Sequence, residues 1–387
     1  MARGRATWKK YFEVKHLIAA LFRGLEDHAP AISRLMRFYS HEGPHGDMTI
    51  IMDKNIPLNL DQPPYDEAYR DLMMENVDGV EDKDLGRMVH LLAALTGPVT
   101  IHGHTSRAVD TVTGRMLGFD KVRARWGRSC HPMPSIKRPE ETSKIAIPVP
   151  PFSNYYHMLI DFLLPHVVTC LAHKELFARG LIFCTNREFP AVDFFVDILN
   201  QEGIPASTKK LKPADMLKAP QSFMTRIKAS STEHRYAYDE GMELLEPYLE
   251  EVTQNIPGHR LLYLKRGTTK LRQLRNADEV HDMMSAEGFH LAEFGWQDFK
   301  NQIAAFRHAD LVVGTHGAGL SNIVWKKHGN LLEIFPGNAR KTVYLNIAAR
   351  RQWTYGYHFA GPEGHNQSFE VDVEALRQSV HQQREVI

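Results

Sequence analysis

The sequence predicts an α/β protein whose second half folds as a doubly wound parallel sheet. Three observations carry that prediction. From Leu261 onward, short apolar runs alternate with amphipathic stretches of about ten residues, the signature of parallel strands joined by crossover helices. Several of these apolar runs end in basic, acidic or glycine-rich residues, where ligands bind in such sheets. The breaker cluster Asn255-Ile256-Pro257-Gly258 sets this part off from what precedes it. A chain of 387 residues can bury two cores, so a boundary is expected there: 1–255, 256–350, and a 351–387 tail packing back on the first domain.

In the first half, residues 1–45 read as helix followed by loop. Met48–Met52 reads as a buried strand, 60–86 as acidic and turn-rich, and Pro98–His102 and Ile145–Val149 as further strands. A long helix is expected from Asn154 to Lys174, a strand at Leu181–Cys184 and a helix at Ala191–Asn200. Gln221–Lys228 reads as a strand and 233–252 as a charged amphipathic helix.

In the second half, Leu261–Lys265 is a strand. Asn276 begins a helix, because Asn276 and Glu279 have capping-box spacing. Val280, Met283 and Met284 give it an apolar face. Phe289–Phe294 is a strand, and Phe299, Ile303 and Phe306 stripe the next helix. Leu311–Gly314 is a strand, Gly317–Lys326 a helix, and Asn330–Phe335 a strand stopped by Pro336.

Net charge is +1, so no global field points to nucleic acid, and an anionic ligand needs a local cationic cluster. Cys130, Cys170 and Cys184 are odd in number and widely spaced, which argues against disulfides and for a reducing compartment. No membrane span and no signal peptide are read. The N-terminus interleaves Arg3, Arg5, Lys9, Lys10, Lys15 and Arg23 with Trp8, Tyr11, Phe12 and Leu17. That pattern suits an interfacial basic helix, or a packed helix with a solvated basic face.

Three strand ends carry suggestive chemistry. Lys265, Arg266, Lys270, Arg272 and Arg275 follow a buried strand; guanidinium forks match phosphate oxygens, although a solvated basic loop has the same composition. In Gly314-Thr315-His316-Gly317-Ala318-Gly319-Leu320-Ser321-Asn322, bare backbone at a helix start favours an anion, with His316 as a further donor. A tight turn capped by a histidine would look the same. This stretch is not a dinucleotide fingerprint, because Asn322 stands where the third glycine belongs, and no GK[ST] follows to make a P-loop. Glu333 ends the third strand and is either a ribose ligand or a satisfied polar residue.

Elsewhere, His157 and Asp161 stand at i and i+4 in the expected Asn154 helix. They form either a general-base pair or a structural tie. His102-Gly103-His104 lacks a third ligand, and Asp82-Lys83-Asp84 lies in an acidic surface stretch, so no metal is expected.

Taken together, three segments resemble glycosyltransferase family 61, the DUF563-type enzymes. Asn154-Tyr155-Tyr156-His157-Met158-Leu159-Ile160-Asp161 is similar to the family's N-Y-x-H-W-L-x-[DE] segment. Arg266, Arg272 and Asn276-Ala277-Asp278-Glu279 resemble its basic block. The run from Phe299 through Asn322, with Leu332–Pro336 after it, resembles its most specific motif. The resemblance spans about half the chain, Asn154 to Pro336, in consistent order and spacing. Met158 departs from the usual Trp, and Ala277 from the usual Glu.

The resemblance implies a GT-B fold, two Rossmann-like doubly wound domains facing a cleft, the first for acceptor and the second for donor. It implies an inverting, metal-independent transfer from a nucleotide sugar, with UDP expected, to a hydroxyl of a glycan, polysaccharide or lipid-linked acceptor. Arg266, Arg272, Asn276, His316, Gly317, Ala318, Gly319 and Leu320 would face the nucleotide diphosphate, Glu333 the ribose, and His157 and Asp161 the acceptor. Asp161 is the expected base, with His157 orienting or replacing it. No cofactor is expected. The expected place is the cytoplasm, with residues 1–25 against the inner face of the plasma membrane. A non-catalytic nucleotide- or sugar-binding module is the alternative; an oxidoreductase or epimerase lacks its fingerprint.

Overall fold

A computed structural model describes residues 47–57, 88–103, 107–111, 137–229, 239–267, 272–337, 341–362 and 364–386. The basic stretch within residues 1–25, Asp82 and Asp84, His104, Cys130 and Lys270 lie outside the described residues. The fold is mixed α/β, with three sheets among the described residues.

The strands of the first half are β1 Asp47–Pro57, β2 Met88–Gly97, β3 Val99–His102, β4 Arg107–Asp110 and β5 Glu140–Glu141. They continue with β6 Ile145–Pro148, β7 Leu181–Thr185, β8 Ala206–Lys210, β9 Met216–Ala219 and β10 Ser222–Ala229. Six form a sheet in the order β1-β2-β10-β6-β7-β8. Its β10-β6-β7-β8 part is parallel, and β1 and β2 run antiparallel to their neighbours. A small sheet, β4-β3-β9-β5, shares a hydrophobic cluster with Ala146 of β6 and Cys184 of β7 through Val99, Ile101 and Leu217. Helix α1, Tyr155–Ala172, joins β6 to β7, and α2, Pro190–Gln201, joins β7 to β8.

The second half holds β11 Leu261–Leu264, β12 His290–Ala292, β13 Leu311–Thr315, β14 Gly329–Phe335 and β15 Trp353–Phe359. They form one sheet, β12-β11-β13-β14-β15, parallel throughout. Every residue of β13 and all of β14 after Gly329 are buried, as expected of central parallel strands covered on both faces. The helices here are α3 Glu246–Asn255, α4 Ala277–Ala286, α5 Phe299–His308, α6 Val343–Arg350 and α7 Val373–Arg384. One hydrophobic core runs through both halves. Phe194 and Phe195 of α2 meet Phe299 of α5 at ring distances of 5.5 and 5.9 Å, and Phe299 meets Trp325 at 5.8 Å.

Four expectations are corrected. The tail after 351 does not fold back on the first half: β15 extends the second sheet, and α7 packs on α4, β14 and β15. Alternating Trp353, Tyr355, Tyr357 and Phe359 drive it there, and Leu376 and Val380 of α7 join Val280 and Met284 of α4 in a satellite core. Gly317–Lys326 forms a 3-10 segment, Ala318–Trp325, rather than an α-helix. The Asn276 side chain caps nothing in α4; it clasps residue 371, donating to the Val371 carbonyl at 2.8 Å and accepting from its N–H at 3.1 Å. Finally, α1 has 18 residues of mean hydropathy 1.2, long and apolar enough to span a membrane by length and composition alone. It is 83% buried inside the fold, as a core helix is.

Candidate active site

The strand order β12-β11-β13-β14-β15 reverses between β11 and β13, and ligands of open α/β sheets bind outside the carboxyl ends at such a point. Leu264 ends β11 there and Thr315 ends β13. Just beyond them, two guanidinium groups converge on one carbonyl. Arg266 Nη1 donates to the His316 oxygen at 2.8 Å, and Arg272 Nη1 donates to the same oxygen at 3.3 Å. Burial, reinforced by Arg272, pulls the Arg266 pKa down to about 10. Like charges held this close favour an anion between or over them. Arg275 points elsewhere, to Glu370 at 3.1 Å.

The glycines make this packing possible. A Cβ on Gly317 would lie 2.5 Å from Arg266 Nη1, and one on Gly319 2.8 Å from Leu264 Cδ2. Gly314 is hemmed in by Leu320 and Leu264. At Gly317 the backbone is extended, φ −176°, so the glycine provides room rather than an unusual dihedral angle. The Leu320 amide donates to the Gly317 carbonyl at 3.0 Å, and its side chain is fully buried. Leu320 therefore contributes packing, and its N–H is not turned toward a ligand. Ala318 is half-buried beside the core.

His316 is held on every side. Its N–H donates to the Ile334 carbonyl at 2.8 Å, and its ring stacks on Phe335 at 5.4 Å. Nδ1 lies 2.5 Å from Glu333 Oε1, and the Tyr355 hydroxyl donates to Glu333 Oε2 at 2.6 Å. A carboxylate only accepts, so Nδ1 carries the proton and Nε2 is the atom left for chemistry. Glu333 is 0% exposed, and both of its oxygens are engaged. A ribose hydroxyl would have to displace His316 or Tyr355 to reach it. Burial, with Glu333 nearby, raises the pKa of Tyr355 and of Tyr344, keeping both hydroxyls protonated.

The second cluster sits on α1. Pro165 cannot donate to the carbonyl four residues back, that of Asp161, and the helix widens to a π turn over Leu159–Leu163. His157 Nδ1 lies 2.7 Å from Asp161 Oδ2. The Asp161 side chain is 4% exposed and that of His157 36%. The buried carboxylate thus fixes the imidazole, and His157 is the partner that solvent reaches.

Ring contacts connect the two clusters. His157 meets Tyr156 at 5.5 Å, Tyr156 meets Tyr344 at 6.3 Å, and Tyr344 meets His316 at 5.3 Å. Tyr344, from α6, is the site residue that sequence reasoning missed, together with Tyr355. Nothing in a lone tyrosine distinguishes it; the charged residue inside the buried run Leu331–Phe335 was the legible hint that β14 carries a partner network.

Asn322 locks α1 to the glycine turn. Its Oδ1 accepts from the Tyr155 hydroxyl and from Trp325 Nε1, both at 2.8 Å. Its Nδ2 donates to Gln302 Oε1 at 2.8 Å and to the Gly319 carbonyl at 2.9 Å. Asn322→Leu leaves buried groups unpaired and is expected to cost roughly 3–5 kcal/mol in chemical denaturation. A loss below about 1 kcal/mol would show that water replaces the hub.

Asn276 stands away from these clusters, tied to the C-terminal segment. Cys170 and Cys184 are buried free thiols; burial pushes Cys184 up to about 12 and Cys170 well above its ordinary value. Burial likewise draws His102 down to about 4. Among the described residues, no group of three or more metal-ligating side chains is assembled.

No curated protein matches the chain. The family model described as Glycosyltransferase 61 matches residues 155–332, a span holding the α1 pair, both arginines, the glycine turn and most of β14. Residues 155–332 thus form a glycosyltransferase family 61 domain, and that domain supports a glycosyltransferase enzyme.

Proposed function

We propose that the protein is an inverting, metal-independent glycosyltransferase of GT-B architecture, taking its sugar from a nucleoside diphosphate donor, UDP by family resemblance. The observation that carries this reading is the convergence of Arg266 and Arg272 on the His316 carbonyl at the switch point of the second sheet. The parallel β6-α1-β7-α2-β8 unit of the first half supports a second Rossmann-like layer.

In this mechanism, His157 Nε2 takes the proton from an acceptor hydroxyl, and Asp161 holds the imidazole through Nδ1. This reverses the roles expected from sequence, because Asp161 is the buried partner. The acceptor oxygen attacks the anomeric carbon as the bond to the β-phosphate oxygen breaks. The electron pair passes to the diphosphate, whose charge Arg266 and Arg272 stabilise. Products are a glycoside of opposite anomeric configuration, a nucleoside diphosphate and a proton on His157. The acceptor is a glycan, polysaccharide or lipid-linked hydroxyl at the cytoplasmic membrane face, approached by residues 1–25.

Incubation with UDP-, GDP- and CMP-sugars, followed by assay of released nucleotide, tests the reading. UDP release, with an inverted glycoside by proton NMR, is expected. No nucleotide release from any donor, with acceptors supplied, would overturn it, and a retained configuration would remove the single-displacement step.

A further inference from the structure

Arg266 follows closely on β11, which ends at Leu264, so the strand places it. Arg272 lies in no strand or helix, and α4 begins only at Ala277. Its φ of 56° is left-handed, a region uncommon for residues other than glycine and costly for an L side chain. Yet its Nη1 reaches the His316 carbonyl beside that of Arg266. Surrounding structure, rather than local preference, must hold it there.

We propose that residues 366–371 are a clasp that sets Arg272 in the diphosphate site, and that Asn276 is the positioning residue of that clasp. The proposal rests on the donor reading above.

Hydrogen bonding is the first argument. The Arg272 N–H donates to the Asn366 carbonyl at 2.9 Å. The Phe369 N–H donates to the Gln273 carbonyl at 3.0 Å, and the Arg275 N–H donates to the Phe369 carbonyl at 2.8 Å. Leu274 and Phe369 therefore pair as parallel strands do. Asn276 adds the next rung with its side chain. Its amide is donor and acceptor at once, and it engages both backbone groups of Val371. The exposed Arg275–Glu370 ion pair adds little to these bonds.

Anchorage is the second. A clasp has to be fixed more firmly than the residue it holds. Phe369 is fully buried and Val371 nearly so, in the satellite core shared by α4 and α7. Asp372 then caps α7, accepting from the Glu374 and Ala375 N–H groups, both at 3.0 Å. At the other end, Asn366 and Gln367 are both left-handed, with φ of 56° and 60°. They bend the chain where the Asn366 carbonyl meets the Arg272 N–H.

Place in the chain is the third. The clasp lies beyond residues 155–332, so the domain that carries both arginines does not contain the segment that holds one of them. Asn276, inside that domain, is the side chain that joins the two.

The test is calorimetric titration of UDP into the full chain, with a melting curve for every variant. Asn276→Ala should weaken UDP binding roughly threefold to thirtyfold, within the range over which residues of one network couple. In an Arg272→Met background the same substitution should change affinity by less than about twofold, because no guanidinium remains to be placed. Asn366→Val puts a β-branched residue at an exposed, left-handed position and should weaken UDP binding as well. Asn366→Gly, which adopts that angle without strain, should restore wild-type affinity. This pair serves if Asn276→Ala does not melt cooperatively. An equal loss from Asn276→Ala with and without Arg272 would make its role structural only and overturn the clasp. So would wild-type affinity in both Asn276→Ala and Asn366→Val. Failure of the wild type to bind UDP, or of Arg272→Met to weaken that binding, would overturn the donor reading of this arginine and the clasp with it.

Discussion

His157→Gln is expected to lower turnover by roughly 10²–10⁴-fold, the usual contribution of a positioned base. The imidazole is the half-exposed member of its pair, with Nδ1 committed to Asp161 at 2.7 Å. Nε2 is then the atom able to take a proton, and glutamine at this position has no comparable basicity. Donor binding should be unchanged within about a factor of two or three, because arginines on the other half hold the diphosphate. Asp161→Asn keeps the imidazole but replaces a group that only accepts with a neutral amide that can also donate, so the tautomer is no longer fixed and a smaller loss in turnover with the same donor affinity is expected. If Asp161→Asn abolished turnover while His157→Gln kept substantial activity, the carboxylate would be the base and the assignment would return to the one expected from sequence.

Arg266→Met is the second large effect. This substitution keeps an unbranched stem and removes the charge and the fork. It removes the closer of the two donors to the His316 carbonyl and half of the arginine pair. Loss of one preorganised charge-stabilising donor typically costs 10²–10³-fold in turnover, about 2.7–4 kcal/mol. Affinity for the donor should fall alongside it, because the diphosphate is charged in the ground state as well. Unfolding should change little, since Arg266 is drawn down by its own burial and by Arg272, and removing one of two crowded cations relieves repulsion.

The second sheet was legible because central parallel strands are apolar along their whole length and end at glycine, proline or charge: Leu311–Gly314 and Asn330–Phe335 are found within a residue or two of β13 and β14. β2 is not legible because HLLAALT, although closed by Gly97-Pro98, has no period of two, and a strand paired on both sides needs none. β15 does alternate, at Trp353, Tyr355, Tyr357 and Phe359. In the site, the His157–Asp161 contact was readable because it depends only on i,i+4 spacing within one helix. Glu333's partners were not, because His316 comes from the turn after β13 and Tyr355 from β15. Asn276 shows the same limit: its partner is 95 residues away, and capping spacing cannot foresee it. The sequence assigns the glycines to the approach of an anion; in the structure the atoms packed against Gly317 and Gly319 are the Arg266 and Leu264 side chains.

The central claim is that the arginine pair at the switch point holds a nucleoside diphosphate. Isothermal titration of UDP into wild-type protein and into the Arg266→Met/Arg272→Met double variant, with matching melting curves, tests it most directly. The wild type should bind and the folded double variant should lose at least about a hundredfold in affinity. Wild-type affinity in the double variant would contradict the account.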